Sequence, residues 1–264
     1  MALSASSAKI RGGERRGVKR VILVGATDGL GKALAEVYAA RGFWVTILGR
    51  SREKLDALVA DLRRRFPVAT VNGVVCDVAD AARLEPAFHE ALAVTGHCDL
   101  FLYNAGVMHG GDGVTSVPAL DAETMEVNAV AAVRLLGLAA NWFRVAGRGQ
   151  IAGISSIAGD RGRKGNPAYN ASKAALSTFL EGLRNRLAPF GVTVSTVKPG
   201  YVGTRMTAGK PGLFWVAPAG EAARIIADRL EKRHEVFYVT RRWALLGFAM
   251  RHVPRFLFKR LGPP

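Results

Sequence analysis

Val21-Ile22-Leu23-Val24-Gly25-Ala26-Thr27-Asp28-Gly29-Leu30-Gly31 is the stretch that decides the fold. A short aliphatic run turns on glycine into the apolar pattern of a helix near Leu30–Ala40, which is the opening of a βα unit. Glycine permits positive φ and lets the backbone approach a ligand closely. The helix start behind it offers free N–H groups and a positive dipole end to a pyrophosphate. The spacing is G-x-x-x-G-x-G rather than the more familiar G-x-G-x-x-G. Asp28 is a caution within it, because its charge lies in a turn that would receive phosphate.

Outward from this turn the pattern repeats. Strands are predicted at Phe43–Leu48, Val68–Cys76, Leu100–Tyr103, Gln150–Ser155, Val192–Val197 and Val236–Thr240. Helices are predicted at Arg52–Arg65, near Ala81–Val94, over roughly Ala122–Val145, from the Tyr169 region to about Pro189, and after Pro218. Continuous apolar strands alternating with helices imply a parallel sheet covered on both faces. Right-handed crossovers then make it doubly wound. The expectation is an α/β fold with one Rossmann-type domain of about seven strands over residues 19–240. A basic N-terminal arm over 1–18 and a basic amphipathic tail over 241–264 flank it.

The chain has 264 residues, 49% of them hydrophobic, enough for a full core. Lys and Arg number 37 against 21 Asp and Glu, a formal net charge of +16. Much of that excess sits at the ends: six Lys/Arg against Glu14 in residues 1–20, and six with no acid in 241–264. A basic end reads either as a solvated tail or as a surface for anionic lipid. Nucleic acid is not expected, since no aromatic platforms interleave the charges. Cys76 and Cys98 make no disulfide framework and read as buried thiols of a reducing, cytoplasmic setting. The start of the chain shows no apolar signal region, and no apolar run reaches the length of a bilayer span. No metal site is expected.

Gly49 and Arg50 close the second strand. An acid there would bond the adenosine ribose and repel a 2′-phosphate, whereas Arg50 would clamp one. That favours NADP(H) over NAD(H). Asp77-Val78 ends the third strand, where a carboxylate would accept from the adenine amine. Asn104-Ala105-Gly106 ends the fourth; its small residues leave room for a cofactor, and Asn104 would hold backbone of adjacent strands. Tyr169 and Lys173 stand four apart, on one face of a helix. A nearby ammonium favours the phenolate and would lower the tyrosine pKa toward neutral.

Taken together these elements resemble the short-chain dehydrogenase/reductase family, over roughly Lys19 to Thr240. The motifs that carry the resemblance are Gly25 to Gly31, Asn104-Ala105-Gly106, Asn128, Ser155-Ser156, Tyr169 to Lys173, and Pro199-Gly200-Tyr201-Val202-Gly203-Thr204. The resemblance implies a catalytic tetrad of Asn128, Ser156, Tyr169 and Lys173. Ser156 is preferred to Ser155 because it stands thirteen positions before the tyrosine, and adjacent strand residues face opposite ways. Hydride transfer would come from the nicotinamide, with Tyr169 as proton donor and Ser156 holding the carbonyl oxygen. Lys173 would also hold the nicotinamide ribose, Asn128 would anchor a water leading to Lys173, and Val202 and Thr204 would meet the carboxamide. Cofactor contacts would fall to Gly25, Thr27, Asp28, Gly29, Leu30, Gly31, Arg50, Asp77, Val78, Asn104, Ala105, Gly106, Tyr169, Lys173, Pro199, Gly200, Val202 and Thr204. One departure from the family is Val24, where threonine is usual. The implied function is interconversion of a ketone and a secondary alcohol by a homo-oligomer. The alternative is a nucleotide-binding regulatory or scaffold protein without turnover.

After Pro199-Gly200 the resemblance places a substrate lid over about Arg205–Ala217. Met206, Leu213, Phe214 and Trp215 suggest an apolar substrate, or else simple packing. His109 has two readings, as a residue lining the cleft or, the preferred one, as a surface-loop histidine. In the tail, Trp243 to Met250 is apolar throughout, and Arg251, Arg255 and Lys259 recur every four residues. Pro254 should interrupt that helix. An amphipathic tail of this kind suits a lipid interface, a cover over the cleft, or a subunit neighbour.

Overall fold

The computed structural model describes residues 18–109, 115–210 and 212–261. The N-terminal arm expected over 1–18 lies outside them, apart from Val18. Chain order is β1 (Arg20–Val24), α1 (Gly29–Ala40), β2 (Trp44–Gly49), α2 (Arg52–Arg65), β3 (Val71–Val75), α3 (Ala81–Thr95) and β4 (Leu100–Tyr103). There follow α4 (Pro118–Met125), a π-turn (Glu126–Val130), α5 (Ala131–Ala146), β5 (Gly149–Ile154), a 3₁₀ turn (Ile157–Asp160), α6 (Pro167–Leu187) and β6 (Val192–Lys198). The chain closes with β7 (Val202–Gly203), β8 (Ala217–Pro218), α7 (Ala219–Glu231), β9 (Val236–Tyr238), α8 (Arg241–His252) and α9 (Arg255–Leu261).

Seven strands form one parallel sheet in the order β3-β2-β1-β4-β5-β6-β9. The strands read as unbroken apolar runs because both faces are buried. Val21 and Leu23 of β1 join the core under α1, α2 and α7, while Ile22 and Val24 join the core under α3, α5 and α6. Leu100 and Leu102 of β4 divide from Phe101 and Tyr103 in the same way. Strand order reverses between β1 and β4, so the crevice at their carboxyl ends is where a ligand can enter.

Differences from the sequence reading are local. β3 starts at Val71, not Val68, because Ala69 N donates to Phe66 O in a turn that leaves Val68 exposed. β9 stops at Tyr238, and Thr240 instead precedes α8. The long helix begins earlier, with Pro118 in its first turn, and loosens into the π-turn around Asn128. That continuous helix, Pro118–Ala146, is by length and composition long and apolar enough to cross a membrane, contrary to the reading that no run is. Its buried stripe of Leu135, Leu136, Ala139, Ala140 and Phe143 makes it a core helix of this fold.

Candidate active site

One cavity of about 520 Å³ runs along the carboxyl ends of the strands. Its wall includes Arg50 and Asp77 at one end and Ser156 and Tyr169 at the other. At its floor the glycine-rich turn admits no side chain. A Cβ on Gly25 would come within 2.5 Å of Ala105 Cα, and one on Gly31 within 2.3 Å of Gly25 O. Gly25 and Gly29 also hold φ of 76° and 53°. Asn104 Nδ2 donates to Gly25 O at 2.7 Å, which ties the end of β4 to the turn. Gly49 is equally constrained, since its Cβ would meet Thr27 Cγ2 at 2.5 Å.

Asp28 caps α1, its Oδ1 accepting from Gly29 N at 2.7 Å. Its other oxygen lies 2.7 Å from Arg205 Nη2, so a lid arginine neutralises the acid in the turn. Among the described residues no hydrogen bond is made by Leu30 N or Gly31 N, the next amides of the helix start. Free amides, a cradle closed to Cβ atoms and an offset acid make the turn fit a pyrophosphate. Arg50 is exposed at the cavity wall. Asp77 Oδ1 accepts from Ala79 N at 3.0 Å, which leaves its second oxygen for a ligand. Cys76 also lines the wall, its thiol pushed up to about 11 by burial.

At the other end, Asn166 with Pro167 behind it starts α6, and its Oδ1 accepts from Tyr169 N at 3.1 Å. The cap therefore fixes the turn that carries the tyrosine. Ser155 and Ser156 part as strand alternation requires. Ser155 Oγ donates to Lys173 O at 2.9 Å and meets Ser177 Oγ at 2.7 Å, turned into α6. Ser156 Oγ accepts from Ala158 N at 3.1 Å and donates to Pro199 O at 3.4 Å, and its hydroxyl stands where it favours the Tyr169 phenolate.

Tyr169 corrects the sequence reading. Burial raises its pKa above the ordinary tyrosine value; the Ser156 hydroxyl and the Arg163 charge oppose this only in part. Lys173 Nζ sits 5.7 Å from the ring centroid and donates to Ile154 O at 2.9 Å, so its ammonium is held by the strand rather than bonded to the phenol. Burial lowers the Lys173 pKa itself to about 8. Asn128 is wholly buried in the π-turn. Its Nδ2 donates to Val107 O at 2.9 Å and to Ser172 Oγ at 3.1 Å, and its Oδ1 accepts from Val107 N at 2.7 Å. The amide is thus committed to binding the β4 turn to α6, not free to hold a water with its N–H groups. A Cβ on Gly106 would lie 3.2 Å from Asn128 Oδ1 and 3.4 Å from Lys173 Nζ, so Gly106 lets the two approach.

Some cleft residues fall outside the sequence reading or against its preferred alternative. His109 lines the cavity instead of an outer loop, its Nε2 3.1 Å from Glu123 Oε2 at ion-pair distance. Arg163 lines it too, six positions before Tyr169, a spacing that carries no signal of its own. Arg205 could have been found from its place beside Thr204. β7 and β8 clasp the ends of the lid, and Thr204 packs against Gly29. The lid aromatics pack on the tail: Phe214 stacks on Trp243 at 5.3 Å, with Tyr201 and Trp215 edge-on around it. Trp243 is buried against Gly200, where a Cβ would come within 2.0 Å of its ring. Gly247 similarly meets Tyr238 and Asp160, and Asp160 bonds Lys198 Nζ at 2.5 Å and Tyr238 Oη at 2.6 Å. The tail interruption falls at Val253-Pro254, where Arg161 donates to Met250 O and Val253 O.

A family model of short chain dehydrogenases matches residues 19–211. Dehydrogenase/reductase SDR family member 7B of Xenopus tropicalis is 32% identical over 191 residues, 71% of this chain and 62% of that protein. The chain thus spans under two thirds of that relative. An uncharacterized oxidoreductase of Mycobacterium tuberculosis is 32% identical over 215 residues, 81% of this chain and 85% of its own. A solved short-chain dehydrogenase from Sphingobium yanoikuyae in complex with NADPH superposes with a TM-score of 0.78 at 28% identity, covering 90% of this chain and 97% of that one.

Proposed function

Because the chain belongs to the short-chain dehydrogenase/reductase family, we propose that it is an NADP(H)-dependent oxidoreductase interconverting ketones and secondary alcohols. One observation carries this reading. Ser156, Tyr169 and Lys173 converge at one end of the cavity whose other end offers Arg50 and the open amides of α1. A scaffold without turnover has no use for that convergence. The NADPH bound by the structural neighbour supports the cofactor assignment, as does the absence of an acid at Gly49 or Arg50.

The cofactor, when bound, supplies the hydride. The residues that would hold it are Gly25, Thr27, Asp28, Gly29, Leu30, Gly31, Arg50, Asp77, Val78, Asn104, Ala105, Gly106, Tyr169, Lys173, Pro199, Gly200, Val202 and Thr204. Ser156 would donate a hydrogen bond to the substrate carbonyl oxygen and fix its position. Tyr169, kept protonated by burial, would deliver the proton that turns the developing alkoxide into an alcohol. Its neutral phenol serves the reductive direction. Lys173, with a pKa near the working pH, would return a proton to the phenol and hold a ribose hydroxyl. Asn128 would act through position, fixing the wall that Lys173 shares. Met206 of the lid and Tyr201 ahead of it line the cavity and favour an apolar substrate. The resemblance adds a homo-oligomer, and the two buried free thiols suit a reducing cytoplasm.

NADPH oxidation across a panel of apolar ketones tests the reading. Tyr169→Phe should lower kcat by about 10³-fold while leaving the NADPH Kd unchanged; unchanged kcat would remove the tyrosine from its role. Tighter binding of NADH than of NADPH would overturn the cofactor assignment.

A further inference from the structure

The outward face of the tail is unlike the rest of the surface. α8 buries Trp243 and Gly247, and turns Leu245 and Phe248, 74% and 57% exposed, to the opposite side. α9 adds Phe256 at 68% exposed and Leu257 at 42%. Around them stand Arg241, Arg242, Arg251, Arg255, Lys259 and Arg260, all exposed and none in an ion pair among the described residues. No acid occurs anywhere in residues 241–264.

Large apolar side chains held in water beside unpaired cations are costly in solution and favourable at one kind of surface. We infer that α8 and α9 form a docking face for an anionic lipid bilayer, with Leu245, Phe248 and Phe256 entering the interface and the six cations meeting lipid phosphates. The apolar side chains would sink to the headgroup boundary, and each cation near the surface adds to the attraction for anionic lipid. A second copy of the chain fits less well, because a self-paired face would set six cations against six. Acidic protein partners lack the apolar layer that Leu245 and Phe248 require.

The face has a functional neighbour. Trp243 fastens α8 to Phe214 and Trp215 of the lid, and Arg242 lies 5.9 Å from the Trp215 ring. A chain docked by α8 therefore carries its lid on the inner side of the docked helix, one helix diameter (~10 Å) from the bilayer.

The test is co-sedimentation of the full chain with phosphatidylcholine vesicles, with and without phosphatidylglycerol. At low salt, binding should be at least about tenfold tighter with phosphatidylglycerol and should weaken in high salt. Leu245→Glu with Phe248→Glu should abolish it, as should the separate pair Arg255→Glu with Lys259→Glu. Thermal unfolding of each variant establishes that it is folded; all four side chains are exposed. Equal binding to both vesicle types, or none, overturns the inference. So does self-association that Leu245→Glu with Phe248→Glu removes, without vesicle binding. Tyr169→Phe should bind vesicles like the parent, so loss of the enzymatic reading and loss of the docking face are told apart.

Discussion

The glycine-rich turn and the C-terminal tail are both built by close approach to glycine, yet the two approaches differ in kind. At Gly25 and Gly31 the crowding atoms are mainly backbone of the turns that follow β1 and β4, so the contact is set by the fold itself. At Gly200 and Gly247 the crowding atoms are the Trp243 ring and the Tyr238 and Asp160 side chains, brought from elsewhere in the chain. The first kind of contact leaves a spaced glycine motif in the sequence. The second leaves a tryptophan in an apolar run that says nothing of its partner.

The strongest way to break this contrast is Trp243→Ala. If the tail is part of the folded core, denaturant unfolding should show a loss of about 3–5 kcal/mol. A loss below about 1 kcal/mol would make α8 an accessory laid over the lid.

Lys173→Met comes next and bears on the cleft that joins the two regions. The folded pKa of about 8 lies below the ordinary 10.5, so burial disfavours the charged form. Between those pH values the unfolded chain holds a proton that the folded chain does not. Unfolding free energy should therefore rise with pH across that window in the parent, and the burial penalty is fully present below it. The variant should be inactive yet more stable at neutral pH, by up to about 3 kcal/mol, with the gap closing as pH approaches 10.5. A gap that persists or widens at high pH would refute the account.

Gly31→Ala probes the backbone side of the comparison. It should cost about 1–3 kcal/mol and weaken NADPH binding strongly, because α1 must retreat from the turn. Undiminished binding would mean that the turn yields where it is described as closed. The smallest effect is expected at Arg205→Ala. Its pair with Asp28 is exposed, so stability should change by less than about 1 kcal/mol. NADPH affinity should nonetheless fall at low salt and recover at high salt, where the unpaired acid is screened. A salt-independent loss would point to shape rather than charge.

The strands, their parallel direction and the phosphate-binding turn were legible in residues 19–240 because periodicity and glycine spacing are local. The site was legible as a set of residues, but not as an electrostatic arrangement. Helical spacing brought Lys173 to the face of Tyr169; only the packing shows its ammonium turned to Ile154 O. Asn128 gave no sign that a π-turn would commit its amide, since that depends on Val107 and Ser172. Asp28 looked like a flaw until Arg205 arrived from the lid. His109 entered the cleft because its carbonyl accepts from Asn166 at the head of α6, a contact no pattern encodes.

The seat of Trp243 on Gly200 carries a consequence for descent. A larger residue at 200 would evict the indole, and a smaller one at 243 would relax the demand for glycine, so the two positions can drift only as a couple. Relatives whose chains are built differently past β9 should show more varied residues after the proline. Those that keep an aromatic at the start of α8 should show almost none.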